Sequence, residues 1–449
     1  MLRYIFLSIE RCKMLWRESF DKLKSFKERK TKKCLMIRGA RQIGKTFTVE
    51  AFGKDEYPSF VEVNFIKTPA LKAVFEGNLD VNTLILNFSV YLPQAEFIPH
   101  RTLLFLDEIQ ECPEAISSLK FWVEDGRFDV IVSGSMLGID YKRPSSYPVG
   151  SMEYLDMTAL NFREFLRAMG ITDSVFDLLK TSFNTFTPIP DAINKKILEL
   201  FRLYITIGGM PEAVSIFIES GSMQKTDEKI RAILNDYRYD IAHYAKADIK
   251  IKAENCFFSL PEQLAKDNHK FMYSVVEKGG NSRKYADTIS WLNGAYLTKC
   301  CYNTSVMGFP LAQYKDDTNF RLYPTDIGLL TSMYDFSIKA ALLEKEDRLL
   351  LNGAKGGIYE AAIADMLIKN GHDALYFRKN EQATFEIEFL IENSDGVIPI
   401  EVKSGNSKSR SLDNALQKEN IPYGYKLING NIGKEGKKIT LPLYMAMFL

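Results

Sequence analysis

Short apolar runs recur along the first third of the chain: CLMI at 34–37, FVEVNF at 60–65, LLFL at 103–106, DVIVSG at 129–134 and MEYLDM at 152–157. Each has the length of a buried strand, and helix-length segments separate them. That alternation predicts a parallel sheet with helices on both faces. Ahead of it, Leu15, Trp16, Phe20 and Leu23 stand at helical spacing and predict an N-terminal helix within 1–30. From about 158 to 258 the strand pattern fades into helices broken by Pro188, Pro190 and the Gly208-Gly209-Met210-Pro211 turn. From Leu260 to about Ser332 the pattern gives a helix, a turn at Gly279-Gly280, a second helix from Ser282 to Leu297 with Ser282 as its cap, and short aromatic strands, the order of a winged helix. The last hundred residues return to α/β: a helix from Gly357 to Asn370, strands at 385–391 and 397–403, another helix and a final strand LPLYMAMFL, with a boundary near Glu344. The expected division is therefore an N-terminal helix (1–30), an α/β core (31–170), a helical lid or adaptor (171–258), a winged-helix-like segment (259–343) and a second α/β domain (344–449).

A chain of 449 residues exceeds one ordinary domain, in keeping with that division. With 46% hydrophobic and 26% charged residues it has the composition of a globular protein. A net charge of +1 provides no global field to hold a nucleic acid, so any such contact rests on a local patch. The crowded basic stretch Lys22, Lys24, Lys27, Arg29, Lys30, Lys32 and Lys33 reads as a solvated helix followed by a linker. The six cysteines lack C-x-x-C spacing and the four histidines form no metal pattern, which fits a reducing, cytoplasmic setting. The run Leu2 to Ile9 is too short for a signal peptide, and no apolar stretch is long enough to span a bilayer; no membrane partner is expected.

The chemistry concentrates in GARQIGKT, a G-x-x-x-x-G-K-S/T phosphate loop that follows the apolar run CLMI and enters the helical stretch Phe47 to Phe52. A strand, a glycine loop and a helix N-terminus together point backbone N–H groups at a phosphate. Gly39, Ala40, Arg41, Gln42, Ile43, Gly44, Lys45, Thr46 and Phe47 are the expected ATP-binding residues, with Lys45 offsetting β/γ charge and Thr46 ligating Mg²⁺. The run Leu103 to Leu106 ends in Asp107 and Glu108, placing two carboxylates at the carboxyl end of a buried strand, where ligands of open α/β sheets gather. Asp107 is expected on the metal through water, and Glu108 on the attacking water. The run IVSGS brings Ser133 or Ser135 toward the γ-phosphate, and Arg41 or Arg143 can act as a charge clamp; the sequence does not choose within either pair.

These residues, with NFIKTPALKAVFEGNLD, LLFLDEIQECPEAISSLKFW, VSGSMLGI and SSYPVGSMEYLDMTALNFREFL, resemble the prokaryotic AAA+ superfamily ATPases that carry a carboxyl-terminal domain of unknown function. The resemblance covers nearly the whole chain. It implies strand order 5-1-4-3-2, Asp107 and Glu108 as Walker B, a sensor serine near 133 to 135, and a winged-helix segment. Where the family often has Lys or Arg after the PVG turn, Ser151 stands here.

In the last domain Glu360 precedes Ile363, Ala364 and Leu367 on one helix face, so a carboxylate opens an apolar stripe and needs a partner. Strand alternation puts Glu386 and Glu388 on the face opposite Phe385, Ile387 and Phe389, and Glu401 with Lys403 on one face of the next strand. Glu388 followed thirteen positions later by E-x-K resembles the PD-(D/E)xK nuclease superfamily, which implies a restriction-endonuclease-like domain with Glu360, Glu388, Glu401 and Lys403 as its site. The usual aspartate is a glutamate here, and Mg²⁺ demands near-ideal octahedral contacts, so weak or absent cleavage is expected. The functional expectation is an ATP- and Mg²⁺-dependent AAA+ ATPase that switches a nuclease-like tail. The alternatives are an ATP-licensed DNA nuclease, and a non-catalytic scaffold that binds DNA or a protein partner. DNA, another protein and a second copy of the chain are the macromolecular partners in view.

Overall fold

The computed structural model describes residues 15–134, 148, 150–266, 268–344, 354–382, 384–403 and 409–449. The chain divides into two compact units, one of which runs from Trp16 to Thr158 and the other from Ala159 to Leu449. None of the helices among the described residues is long and apolar enough to cross a membrane.

The first unit opens with α1 (Glu18–Lys27), whose buried Leu23 and Phe26 lie one turn apart; the neighbouring Phe20 meets Phe52 edge-on at 5.6 Å. Residues 1–14 of the expected N-terminal helix lie outside the described residues. Then follow β1 (Cys34–Arg38), α2 (Lys45–Glu56), β2 (Ser59–Asn64), α3 (Val81–Tyr91), β3 (Thr102–Asp107), α4 (Pro113–Asp125), β4 (Asp129–Ser133) and β5 (Met152–Asp156). The five strands form one parallel sheet in the order β2-β3-β4-β1-β5, which is the expected 5-1-4-3-2 order read from the other edge. Central β3 is buried along its full length, and Leu103 to Leu106 have no exposed surface. Burying each such side chain contributes about 1.5–3 kcal/mol, so the strand is anchored and its last residue is held in place.

The second unit begins with helices: α5 (Phe162–Ala168), α6 (Asp173–Thr185), α7 (Asp191–Ile207), α8 (Pro211–Ser220), α9 (Met223–Tyr244) and α10 (Lys250–Phe258). Further on come α11 (Ser282–Gly294), β6 (Thr298–Thr304), β7 (Lys315–Pro324), α12 (Ile327–Met333) and α13 (Lys355–Lys369). The chain ends with β8 (Leu375–Lys379), β9 (Glu386–Asn393), β10 (Gly396–Val402), α14 (Arg410–Leu416), β11 (Gly424–Ile428), β12 (Gly433–Glu435) and β13 (Lys438–Pro442).

Three details differ from the sequence expectation. The cap of α11 is Asn281, whose side chain accepts from the Lys284 N–H, and Ser282 is the first helical residue. The hairpin of β6 and β7, expected as a wing, is the edge of the second sheet: β6 runs parallel to β8, and the described strands order as β12-β13-β11-β10-β9-β8-β6-β7. That sheet therefore continues across the boundary expected near Glu344. The final LPLYMAMFL is a strand only up to Pro442, after which Leu443–Phe448 form a 3-10 turn. Leu443 to Ala446 are buried on every side, and a run buried all round carries no period that separates strand from turn.

Candidate functional site

The phosphate loop lies between β1 and α2, and its backbone explains its glycines. Gly44 is left-handed, at φ 89°, as the residue before α2. Gly39 has φ +142°, and a Cβ built there would run into the Met157 carbonyl beside it. Only glycine meets both demands at position 39. Gln42 is also left-handed, at φ 62°. Ile43 is buried beneath the loop, and its carbonyl accepts from the Arg17 guanidinium at 2.8 Å. Ala40 is buried too, whereas Phe47 is 59% exposed one turn into α2.

Lys45 folds back over the loop, its Nζ donating to the carbonyls of Ala40 at 2.7 Å and Gly39 at 3.0 Å. Desolvation lowers its ammonium to about 8; the Glu108 and Asp107 carboxylates oppose that fall and the Arg41 guanidinium adds to it. A cation disfavoured by burial and held by neutral loop carbonyls is poised for an anionic ligand.

Asp107 is 2% exposed at the end of β3 and is surrounded by donors. Thr46 Oγ1 donates to its Oδ2 at 3.0 Å, Asn64 Nδ2 donates to the same oxygen at 2.7 Å, and Ser133 Oγ donates to Oδ1. Each donor arrives from a different element: Thr46 from the first turn of α2, Asn64 from the end of β2 in register with Asp107, and Ser133 from the end of β4. Hydrogen bonds of this kind satisfy the oxygens of a buried carboxylate and fix its orientation. Of the two serines, Ser133 is placed on Asp107; Ser135 lies outside the described residues, as does Arg143. Glu108 follows in the left-handed region at φ 54°, and Gln110 Nε2 donates to its Oε2 at 2.6 Å. The hydroxyl of Thr46 and the carboxylate of Asp107 reach one point and present only oxygen, the donor set a hard divalent cation takes.

Asn64 and Gln110 were not singled out by motif. A polar residue closing a strand beside the acidic strand was the available signal for Asn64, but its use depends on knowing the β2–β3 register.

The four carboxyl-terminal candidates come together only in part. Lys403 Nζ lies 3.1 Å from Glu388 Oε1 and 3.4 Å from Glu401 Oε1, and the Val402 N–H donates to Glu388 Oε2 at 3.2 Å. Burial raises Glu388 to about 7; Lys403 opposes the rise, and Glu360 with Glu401 reinforces it. Glu360 is engaged elsewhere. Its Oε1 accepts from Arg321 at 2.5 Å and from the Tyr323 hydroxyl, and its Oε2 meets His269 Nδ1 at 2.8 Å. Against the penalty of burial, Arg321 and then His269 hold its carboxyl down at about 2. Arg321 also reaches Glu386, which Lys379 pairs at 2.8 Å. The partner that Glu360 needed is thus a buried arginine on β7, with His269 from the segment before α11. No group of three or more His, Cys, Asp or Glu among the described residues is arranged to hold a metal ion.

Residues 31–166 match the family described as AAA domain. Residues 198–340 and 355–444 each match a domain of unknown function, DUF8612 and DUF4143 respectively. No curated protein matches the chain. Among solved structures, the Walker-type ATPase PABY2304 of Pyrococcus abyssi is similar over 71% of this chain and 96% of its own, at 10% identity and a TM-score of 0.41. The Aeropyrum pernix ORC1 protein in complex with DNA is similar over 77% of this chain and 96% of its own, at 12% identity and a TM-score of 0.29. With its family match, its parallel five-stranded sheet and its glycine loop before α2, the segment 31–166 is a P-loop domain of the AAA type.

Proposed function

We propose that the protein is a Mg²⁺-dependent ATPase that uses turnover to switch its carboxyl-terminal unit. The observation that carries the reading is the Asp107 cluster. A buried carboxylate at the end of β3 takes hydroxyls from the P-loop threonine and from β4, which supports a metal site joined to the phosphate loop. Lys45 releases the Gly39 and Ala40 carbonyls to meet the β/γ-phosphates, while the amides of the loop and of the first turn of α2 take the phosphate oxygens. Thr46 and Asp107 are the residues that would hold magnesium, which when bound neutralises charge on the β- and γ-oxygens. Glu108, beside them at the strand end, orients the attacking water and takes its proton. Phosphate release on addition of Mg·ATP tests this: Lys45→Ala abolishes it together with binding, and Glu108→Gln keeps binding and loses turnover. Wild-type rates in both variants would reject the proposal.

A second reading concerns the tail. The nuclease-like constellation is internally compensated, with Lys403 bridging Glu388 and Glu401 and with both oxygens of Glu360 taken by Arg321, Tyr323 and His269. This supports a nuclease-like fold that contacts DNA or a protein without cutting. Plasmid cleavage with Mg²⁺ or Mn²⁺ that disappears in Lys403→Ala would favour the ATP-licensed nuclease instead.

A further inference from the structure

We infer that Gln110 is a positioning residue that fixes the Glu108 carboxylate, and that Gly134 is glycine so as to admit the Gln110 amide. The inference rests on the ATPase reading above and assigns to this pair the orientation of its general base.

Glu108 stands on an awkward piece of backbone. It leaves β3 in the left-handed region and precedes the 3-10 turn Ile109–Glu111, so its side chain departs from the regular alternation of the strand. A glutamate with three side-chain torsions loses catalytic power unless something restrains it, because a misplaced base is nearly as poor as a missing one. The restraint comes from two residues on. Gln110 is 1% exposed, and its Nε2 donates to Glu108 Oε2 at 2.6 Å. The assignment of the amide follows from chemistry: turned over, its oxygen would face a carboxylate and the contact would be repulsive. With Oε2 taken by a donor, Oε1 of Glu108 is the oxygen that meets the water.

The amide is itself wedged. On its other side Gln110 Oε1 lies against Gly134, where a built Cβ would overlap that oxygen and also touch Ile109 Cγ2 at 3.4 Å. Gly134 is the residue after Ser133, whose hydroxyl holds Asp107. The end of β4 thus seats both acids at the end of β3, Asp107 directly through Ser133 and Glu108 indirectly through Gly134 and Gln110. The space at 134 is needed for the amide and not for the backbone, since Gly134 is not among the left-handed glycines.

The test is steady-state ATP turnover with a double-mutant cycle. Gln110→Leu removes donor and acceptor at similar volume; kcat falls roughly 10- to 100-fold, the size of losing one hydrogen bond to a charged group. KM and the affinity for Mg·ATP change less than about threefold, so the loss falls on kcat alone. On the residual single-turnover rate of a Glu108→Gln background the same substitution costs little more, because Gln110 acts through Glu108. Gln110→Met and Gly134→Ala, which crowds the amide from the other side, give the same kcat-selective loss and stand in should the leucine variant not fold. Equal losses in kcat and nucleotide affinity, a full additional loss in the Glu108→Gln background, or wild-type kcat in these variants overturns the Gln110 assignment alone. Absence of turnover in well-folded wild-type protein overturns it together with the ATPase reading.

Discussion

Mg·ATP binding at alkaline pH should draw protons from solution through Lys45. In the free protein desolvation holds this ammonium at about 8, against an ordinary value of 10.5. At pH 8.5 a group with a pKa of about 8 is only about one quarter protonated, and a bound triphosphate, whose charge favours the ammonium, restores it to nearly full protonation. Uptake of about 0.7 proton per site follows. The sign is fixed by which state holds more protons: affinity is fully present below about pH 8 and falls, by up to tenfold per pH unit, as pH rises from there toward the pKa of the bound state. Titration calorimetry at pH 8.5 in two buffers of different ionisation enthalpy gives the uptake directly. Lys45→Arg, always charged, is the control and takes up none. Zero uptake between pH 8 and 9.5 in wild-type protein that still binds would refute the placement of Lys45 against the phosphates.

Three further outcomes follow from particular contacts. Arg321→Leu leaves Glu360 charged and buried without its strongest partner, so the second unit should lose about 3–5 kcal/mol in denaturant titrations, while Lys403→Met, which removes a more exposed cation, costs less. Gly39→Ala combines a φ of +142° with an overlap on Met157 O, and should abolish nucleotide binding along with a fall in Tm, measured by thermal scan with and without Mg·ATP. For His269, burial works against the cation but Glu360 outweighs it and holds the imidazolium above its usual value. Its contribution is therefore fully present below about pH 6.5 and is lost as pH rises through the raised folded value, so wild-type stability should decline across that window more than that of His269→Gln.

Most of the first unit could be read from the chain because its central strands β1, β3 and β4 are buried on both faces. The five apolar runs each became a strand within two residues at either end, and their parallel order agreed with the resemblance. The acids of β3 were legible for the same reason, since an apolar run that ends in Asp107 and Glu108 announces its own boundary. What the chain concealed was lateral. Asn64 meets Asp107 through strand register, and Gln110 meets Gly134 through the adjacency of β3 and β4, neither of which is a spacing in sequence. In the second unit the hairpin β6–β7 carries no mark that it will extend the sheet of β8, and Arg321 lies 39 residues from the Glu360 it neutralises. Alternation put Glu401 and Lys403 on one face, and Lys403 lies 3.1 Å from Glu388 and 3.4 Å from Glu401. It placed Glu386 beside them as well, but that carboxylate is drawn away by Lys379 and Arg321.

The most direct measurement is a calorimetric titration of Mg·ATP into the Glu108→Gln variant, in which a bound nucleotide persists. One triphosphate per chain, with the heat abolished by adding Lys45→Ala, is the predicted result. A folded protein that gives no heat, or one that binds equally well without the lysine, contradicts the account.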